Sequence, residues 1–174
     1  MRKLIYLAAI ILLLSSCSFR SGEEEEHEKA VLPDIILENS TYTLGQSGER
    51  PIYIESSRMT LYSYDNQAIV ENISFISYDE DGNPSIEGSA GHGEIETDTK
   101  RMKLTGSVRL RASDGDMMIE ADNLMFDSEN EEVQADGNVR VSSEDGTFSG
   151  TGFKGDLREE TYSFETIQEG IFEL

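Results

Sequence analysis

The sequence predicts an all-β protein, an open and twisted antiparallel stack of repeated strand-turn-strand units. Short runs such as Val108-Arg109-Leu110 and Val139-Arg140-Val141 alternate apolar and polar residues, which is the pattern of half-buried strands. The pattern recurs without a gap at a spacing of 31 residues, which aligns Gly106 with Gly137. No amphipathic helical pattern follows Cys17.

The chain starts with the features of a bacterial export signal. Arg2 and Lys3 precede the apolar run Leu4 to Leu14, and the tetrapeptide Leu14-Ser15-Ser16-Cys17 resembles a lipobox, at which bacterial lipoproteins are processed. The apolar run has 11 residues, too few to cross a hydrocarbon core of about 30 Å as a helix. We expect residues 1–16 to be removed as a lipoprotein signal peptide and Cys17 to carry lipid. The pattern leaves two alternatives open, an ordinary export signal with an unmodified cysteine and a retained short membrane helix.

Residues 17–38 are predicted to be the lipidated cysteine and an acidic tether, and residues 39–174 a folded domain. The tether contains the block Glu23 to Glu28, whose like charges keep it solvated. Apolar residues at Ile35-Ile36-Leu37 mark a candidate start for a short docking strand.

Charge excludes nucleic acid as a partner. The chain has 14 Lys and Arg against 35 Asp and Glu, a net charge of −21, and this field repels phosphate backbones. A single cysteine also excludes an internal disulfide.

The strands follow in order, separated by Asp-Gly pairs at residues 81–82, 114–115 and 145–146, which favour tight hairpin turns. Within one unit, Met117, Ile119 and Ala121 lie on one face of the strand. Leu124 and Phe126 are out of step with these three by one residue. We therefore place a bulge at Asp122-Asn123 and an equivalent one at Gly91-His92. Such bends predict a V-shaped stack that is apolar inside.

An open stack has two consequences for function. Its end strands present free N–H and C=O groups that another chain can pair with, and its interior is an apolar channel. Mid-strand Gly106 and Gly137 allow close approach between layers. The apolar positions are either a plain core or the lining of a lipid-binding groove. These candidate lipid-binding residues are Met59, Leu61, Ile73, Phe75, Ile95, Met102, Leu104, Val108, Leu110, Leu124, Phe126, Val139 and Val141.

The repeat resembles a known family. Segments 120–127 and 136–141 are similar to the repeat of the OstA-like β-jellyroll superfamily, and segment 145–153 is similar to the C-terminal part of LptC-like lipopolysaccharide export proteins. The resemblance covers about Tyr42 to Phe172. It implies an open β-jellyroll slide without catalytic residues, in which the acyl chains of lipopolysaccharide or a related glycolipid travel inside.

The resemblance also implies partners and a location. One edge would meet the permeases of an inner-membrane ABC transporter, and the other would add a strand to a periplasmic LptA-like β-jellyroll bridge protein. The family implies an inner-membrane anchor in the periplasm, whereas Ser18 after Cys17 favours sorting to the outer membrane. The alternative function is a structural or adhesive surface lipoprotein in which the β-stack serves only as a scaffold.

No pattern in the sequence indicates an enzyme, a cofactor or a metal site. His92 has no second histidine nearby, and Asp79 to Asn83 lacks the closing glutamate of a calcium loop. No nucleophile elbow or phosphate-binding loop is present. We therefore predict a binding protein with no cofactor.

Overall fold

The computed structural model describes residues 32–45, 51–112, 117–159 and 161–172, and these form ten antiparallel strands in one open sheet. Each strand pairs with the one before it along the chain, except β10, which pairs with β8 beside β9. The all-β prediction is confirmed. The strands are β1 Ile35–Leu44, β2 Ile52–Tyr62, β3 Gln67–Tyr78, β4 Pro84–Glu96, β5 Arg101–Ala112, β6 Met117–Asp127, β7 Glu132–Ser143, β8 Gly146–Asp156, β9 Thr161–Ser163 and β10 Thr166–Phe172.

The first strand begins earlier than the predicted domain boundary at residue 39. Ile35 pairs with Leu61 and Leu37 pairs with Met59, so residues 35–38, predicted as the end of the tether, lie in the sheet. The reason is the apolar run itself, since Leu37 packs against the core. The predicted signal peptide and Cys17 lie outside the described residues.

Backbone pairing is interrupted near the middle of each long strand, and these interruptions form a continuous line across the sheet, which we call the bend line. Side chains replace some of the missing backbone bonds: the Asn72 amide donates to Ser57 Oγ at 3.0 Å, and Ser57 Oγ donates to the Glu71 carbonyl at 3.0 Å. Asn39 and Asn72 adopt positive φ values of 46° and 50° on this line, a conformation that asparagine tolerates better than most residues. The bend line runs through Asn39, Ser57, Asn72, Gly91, Gly106-Ser107, Asp122, Asp136-Gly137 and Gly152.

The bend line divides the sheet into two layers that face each other. The rings of Phe75 and Phe126 stack with centroids 5.7 Å apart, although β3 and β6 are not neighbours in the sheet. A flat sheet could not bring these rings together, so the contact fixes the V-shaped arrangement. Layer A comprises residues 40–44, 52–56, 73–78, 84–90, 108–112, 117–121, 138–143, 146–151 and 166–172. Layer B comprises residues 35–38, 58–62, 67–71, 92–96, 101–105, 123–127, 132–135, 153–156 and 161–163.

The predicted slip in the apolar pattern is present, and pairing is irregular at both predicted segments, Gly91-His92 and Asp122-Asn123. In β6, Ile119 and Leu124 are both buried, so the inward face does change register between them. The extra residue, however, belongs to the neighbouring strands: Thr105 and Val108 of β5 pair with Asn123 and Ala121 of β6. One bulge therefore lies at Gly106-Ser107 in β5. The pairing of β7 with β6 and with β8 places a second bulge at Asp136-Gly137 in β7.

The prediction that Gly106 permits close approach between layers is also corrected. A Cβ at Gly106 would lie 3.6 Å from the Gly91 Cα of the adjacent strand, which is ordinary contact. Its φ of 81° is the constraint, because glycine adopts this left-handed region without steric penalty. The bulge thus needs glycine for its backbone conformation rather than for space.

Turns close the strands at the two outer borders of the V, which we call rim A and rim B after their layers. On rim A, the predicted Asp-Gly turn at residues 81–82 is present, with Gly82 at a φ of 84°. The other described Asp-Gly pair differs, since Glu144 and Asp145 form the turn and Gly146 already begins β8. The pair at 114–115 lies outside the described residues.

Rim B uses turns that the sequence did not predict. Asn66, Lys100 and Glu131 adopt positive φ values of 52°, 56° and 59°. The Asn66 carbonyl accepts from Thr97 N at 2.8 Å, and the Glu131 carbonyl accepts from Leu157 N at 2.9 Å. Successive turns are therefore linked into a ladder along this rim.

Candidate functional site

The candidate lipid-binding residues all face the space between the layers. Every one of them is buried except Leu61, which is half-buried and packs against the core beside β1. Met102, Leu104, Leu110 and Val141 are essentially inaccessible to solvent. The sequence therefore identified the inner surface correctly.

The interior is closed in this conformation and filled by the protein's own side chains. A Cβ at Gly88 would lie 2.1 Å from the Phe75 ring, so β4 and this ring are packed as closely as they can be. An acyl chain could enter only if the two layers moved apart. The two layers could separate at the rims, because the backbone hydrogen bonds of the turns join residues of one rim or of neighbouring strands, and none joins rim A to rim B in the described part of the chain.

The N-terminal end of the interior is bordered by β1, whose outer edge has no strand partner among the described residues. Ile35 and Ile36 are 49% and 47% exposed on this strand. Unpaired N–H and C=O groups beside exposed apolar side chains form a surface suited to adding a strand from another chain.

The C-terminal end carries an aromatic cluster that sequence reasoning missed. The Phe153 ring lies 5.2 Å from Phe164 and 6.3 Å from Tyr162, and Phe148 lies 5.1 Å from Phe172. The signal was the high density of Phe and Tyr between residues 148 and 172. These rings cover the last part of the interior, where the sheet ends.

The C-terminal edge consists of two strands rather than one. β9 pairs with the layer B part of β8, and β10 pairs with its layer A part. Ile167, Ile171 and Phe172 of β10 are 61%, 58% and 71% exposed. This edge therefore also combines free backbone groups with apolar side chains.

Three buried serine hydroxyls stand out in the part of the chain that the structure describes. The Oγ atoms of Ser40, Ser56 and Ser143 are buried without a hydrogen-bond partner among the described residues. Burying a hydroxyl without a partner typically costs about 1–3 kcal/mol.

Charged residues lie on the outer faces. Arg109 Nε is 3.3 Å from Glu120 Oε1 on layer A, and Lys103 Nζ is 3.3 Å from Glu94 Oε1 on layer B. Exposed pairs of this kind contribute about 0–1 kcal/mol each. Their main effect is to keep the outer face solvated.

Asp127, on rim B, is a carboxylate that accepts several hydrogen bonds. Burial alone would raise its pKa, but N–H groups of Asn130, Arg101 and Glu129 donate to the carboxylate and hold its pKa below the ordinary value. The charged form is therefore the one that the fold stabilises.

Replacing Asp127 by Asn should lower the free energy of unfolding by about 1 kcal/mol at pH 7. Because the folded-state pKa of Asp127 is depressed, its contribution is present above the unfolded-state pKa and is lost as pH falls through the folded-state value. Urea unfolding at pH 7 and at about pH 3 measures this, and the wild-type advantage should shrink at the lower pH. An advantage that grows on acidification would contradict the assignment.

A cleft of about 700 Å³ is lined by residues of β5 to β9 in layer B. Met125, Gln134 and Lys154 contribute to its wall, and these side chains point away from the interior. Phe126 and Val133, which are buried in the core, also contribute to the lining of this cleft.

Metal ligands are not brought together anywhere in residues 32–45, 51–112, 117–159 and 161–172. Asp79 instead accepts hydrogen bonds from the backbone N–H groups of Asn83 and Asp81, at 2.8 and 2.9 Å, and these bonds hold its pKa below the ordinary value. Likewise, none of the described residues forms a helix long and apolar enough to cross a membrane.

The arrangement can perform two kinds of binding. An interior of apolar side chains can accept a hydrocarbon chain once the layers separate, and two open edges can pair with other β-proteins.

One comparison with known proteins gives a match. A protein-family model described as "Lipopolysaccharide-assembly, LptC-related" matches residues 4–165, which include β1 to β9. No curated protein matches the sequence.

Proposed function

This chain belongs to the LptC-related family of lipopolysaccharide assembly, and we propose that it is a membrane-anchored bridge component of lipopolysaccharide export. In this role it passes lipopolysaccharide or a related glycolipid from an inner-membrane ABC transporter to the next periplasmic bridge protein. The observation that carries the proposal is a continuous apolar interior between two layers whose backbone strands connect along the bend line.

The acyl chains would enter between rim A and rim B. Contacts across the interior are side-chain contacts, such as the stack of Phe75 on Phe126, so the layers can separate without breaking the pairing of neighbouring strands. An acyl chain in the interior would then replace the apolar contacts that the layers lose. Met59, Met102 and Met117 suit such a lining, because methionine adapts its shape to different neighbours.

The two edges would provide the protein contacts. The free edge of β1 is the candidate surface for the transporter permeases, and the edge formed by β9 and β10 is the candidate surface for a periplasmic LptA-like β-jellyroll protein. Strand addition at both edges would extend one apolar interior through the whole bridge.

The anchor would be lipid on Cys17, which the tetrapeptide Leu14-Ser15-Ser16-Cys17 supports. Family membership favours the inner membrane in the periplasm, and Ser18 favours the outer membrane. Changing Cys17 to Ser should release the protein from the membrane fraction, because each CH₂ of an anchor contributes about 0.8 kcal/mol on insertion. Intact-mass analysis should show a wild-type chain that begins at Cys17 with added diacylglycerol. A wild-type chain without lipid mass would rule out this anchor.

Lipid passage predicts a pattern of crosslinks. A photo-crosslinking amino acid at Leu104, Leu110 or Val139 should capture lipopolysaccharide in cells, because these side chains face the interior. The matched controls are Arg109 and Arg140, which neighbour them on the opposite face and should capture none. Mass spectrometry of the crosslinked adducts identifies the lipid.

Retained folding must be shown for each crosslinking variant by circular dichroism. Equal capture at inward and outward positions would contradict an internal path. Folded variants that capture no glycolipid, and edges that capture no β-jellyroll protein, would favour a structural or adhesive surface lipoprotein.

A further inference from the structure

Ser40 and Ser56 lie directly opposite each other on β1 and β2, on the inner side of layer A. We propose that they form a polar binding point that recognises an oxygen substituent on a lipid acyl chain. The inference rests on the proposed function, because it assigns a specificity determinant within the same interior.

The position of the pair is well defined. Ser56 follows Ile52 and Ile54 in the inward-facing alternation of β2 and is only 8% exposed. Its partner Ser40 occupies the equivalent inward position of β1, two residues from the half-buried Tyr42. Both positions lie next to the bend line, at the apex of the V and near its N-terminal end.

Neither hydroxyl is satisfied by the protein. The Oγ atoms of Ser40 and Ser56 are inaccessible and have no hydrogen-bond partner in the described part of the chain. Buried polar atoms in native proteins are nearly always paired, so two unpaired hydroxyls at facing positions require an explanation. An alanine or valine at either position would fill the same place without this cost.

The chemistry of the pair indicates what it would bind. Each hydroxyl can donate one hydrogen bond and accept others, so the pair can bind one ligand oxygen from two sides. The surrounding inward side chains, Ile54, Met59 and Ile73, are apolar. The rest of the ligand at this point must therefore be hydrocarbon, which fits an oxygen substituent on an acyl chain and disfavours a charged headgroup.

The test compares two uncharged probes, the methyl esters of an unsubstituted fatty acid and of a mid-chain hydroxylated fatty acid of equal length. Equilibrium binding to the full chain in detergent should favour the hydroxylated ester by about threefold to tenfold, the effect of one or two hydrogen bonds. Ser40→Ala combined with Ser56→Ala should remove this preference and leave binding of the unsubstituted ester unchanged. Ser143→Ala is the matched control, because it removes a buried, unpaired hydroxyl elsewhere, and it should keep the preference.

Thermal unfolding without lipid provides a second measurement. The Ser40→Ala and Ser56→Ala double variant should be as stable as the wild type or more stable, since it loses unpaired hydroxyls. A clear loss of stability would mean that the hydroxyls bond each other, which would overturn the proposal. Binding of both esters without preference would also overturn it and leave the proposed function intact. Failure of the wild type to bind either ester would count against both.

Discussion

Insertion of one residue between Val139 and Arg140 is expected to prevent the domain from folding. Val139 and Val141 are 2% and 0% exposed, and β7 pairs on both sides with β6 and β8. The insertion would move Arg140 into the inward position of Val141 and turn Val141 to solvent. Burying an unpaired cation costs several kcal/mol, and a domain of this size has about 5–15 kcal/mol of stability. Circular dichroism and thermal unfolding should therefore show little cooperative structure.

The control is the same insertion between Asp114 and Gly115, in the connection between β5 and β6. A connecting segment can lengthen without changing which face of a strand is buried, so this variant should unfold within about 1 kcal/mol of the wild type. If both insertions had the same effect, the inward and outward assignment of β7 would be wrong.

Replacing Gly146 and Gly150 by Ala together is expected to detach β10 while the rest of the sheet stays folded. A Cβ at Gly146 would lie 2.0 Å from the Ile171 carbonyl oxygen, and a Cβ at Gly150 would lie 2.1 Å from that of Thr166. Both obstacles are backbone atoms of β10, so this strand must move away. Overpacking typically costs about 1–3 kcal/mol per site, which exceeds what an exposed edge strand can offset.

Hydrogen exchange measures this result directly. Amides of residues 166–172 should exchange at least about tenfold faster in the double variant, whereas amides of residues 101–112 in the central strand β5 should be unchanged. Gly137→Ala is the matched control, because its Cβ would meet only the Asn123 amide nitrogen at 3.4 Å, and it should leave β10 protected. Unchanged protection of β10 in the double variant would contradict the observed packing of this edge.

Detachment of β10 also separates the two proposed binding surfaces. The double variant should lose capture of a β-jellyroll partner at the C-terminal edge, because the layer A part of that edge is displaced. Crosslinking of lipid at Leu104 should persist, since β5 lies in the middle of the sheet. Simultaneous loss of both would indicate that the edge and the interior do not act independently.

Much of the inner surface could be predicted because alternation in a strand follows directly from its geometry. Successive side chains point to opposite faces, so Met102, Leu104 and Leu110 could be assigned to one face from the sequence alone. The slip between Ala121 and Leu124 was visible for the same reason. The resemblance to the LptC family was likewise carried by residues present in the sequence.

Register between strands could not be predicted in this way, because it depends on two strands at once. The apolar positions of β6 show that a slip occurs, and only its pairing with β5 reveals that the extra residue is Gly106 or Ser107. The stack of Phe75 on Phe126 and the facing pair of Ser40 and Ser56 similarly join residues far apart in the chain.

The sequence by itself determined that the thirteen candidate side chains face inward and which family the protein resembles, because alternation and local motifs are properties of one segment. The tertiary structure alone decided where the sheet bends, that its layers close on each other, and that the C-terminal edge is divided between β9 and β10. These features depend on contacts between distant segments, such as Gly146 against Ile171, and no local pattern encodes the geometry of such a contact.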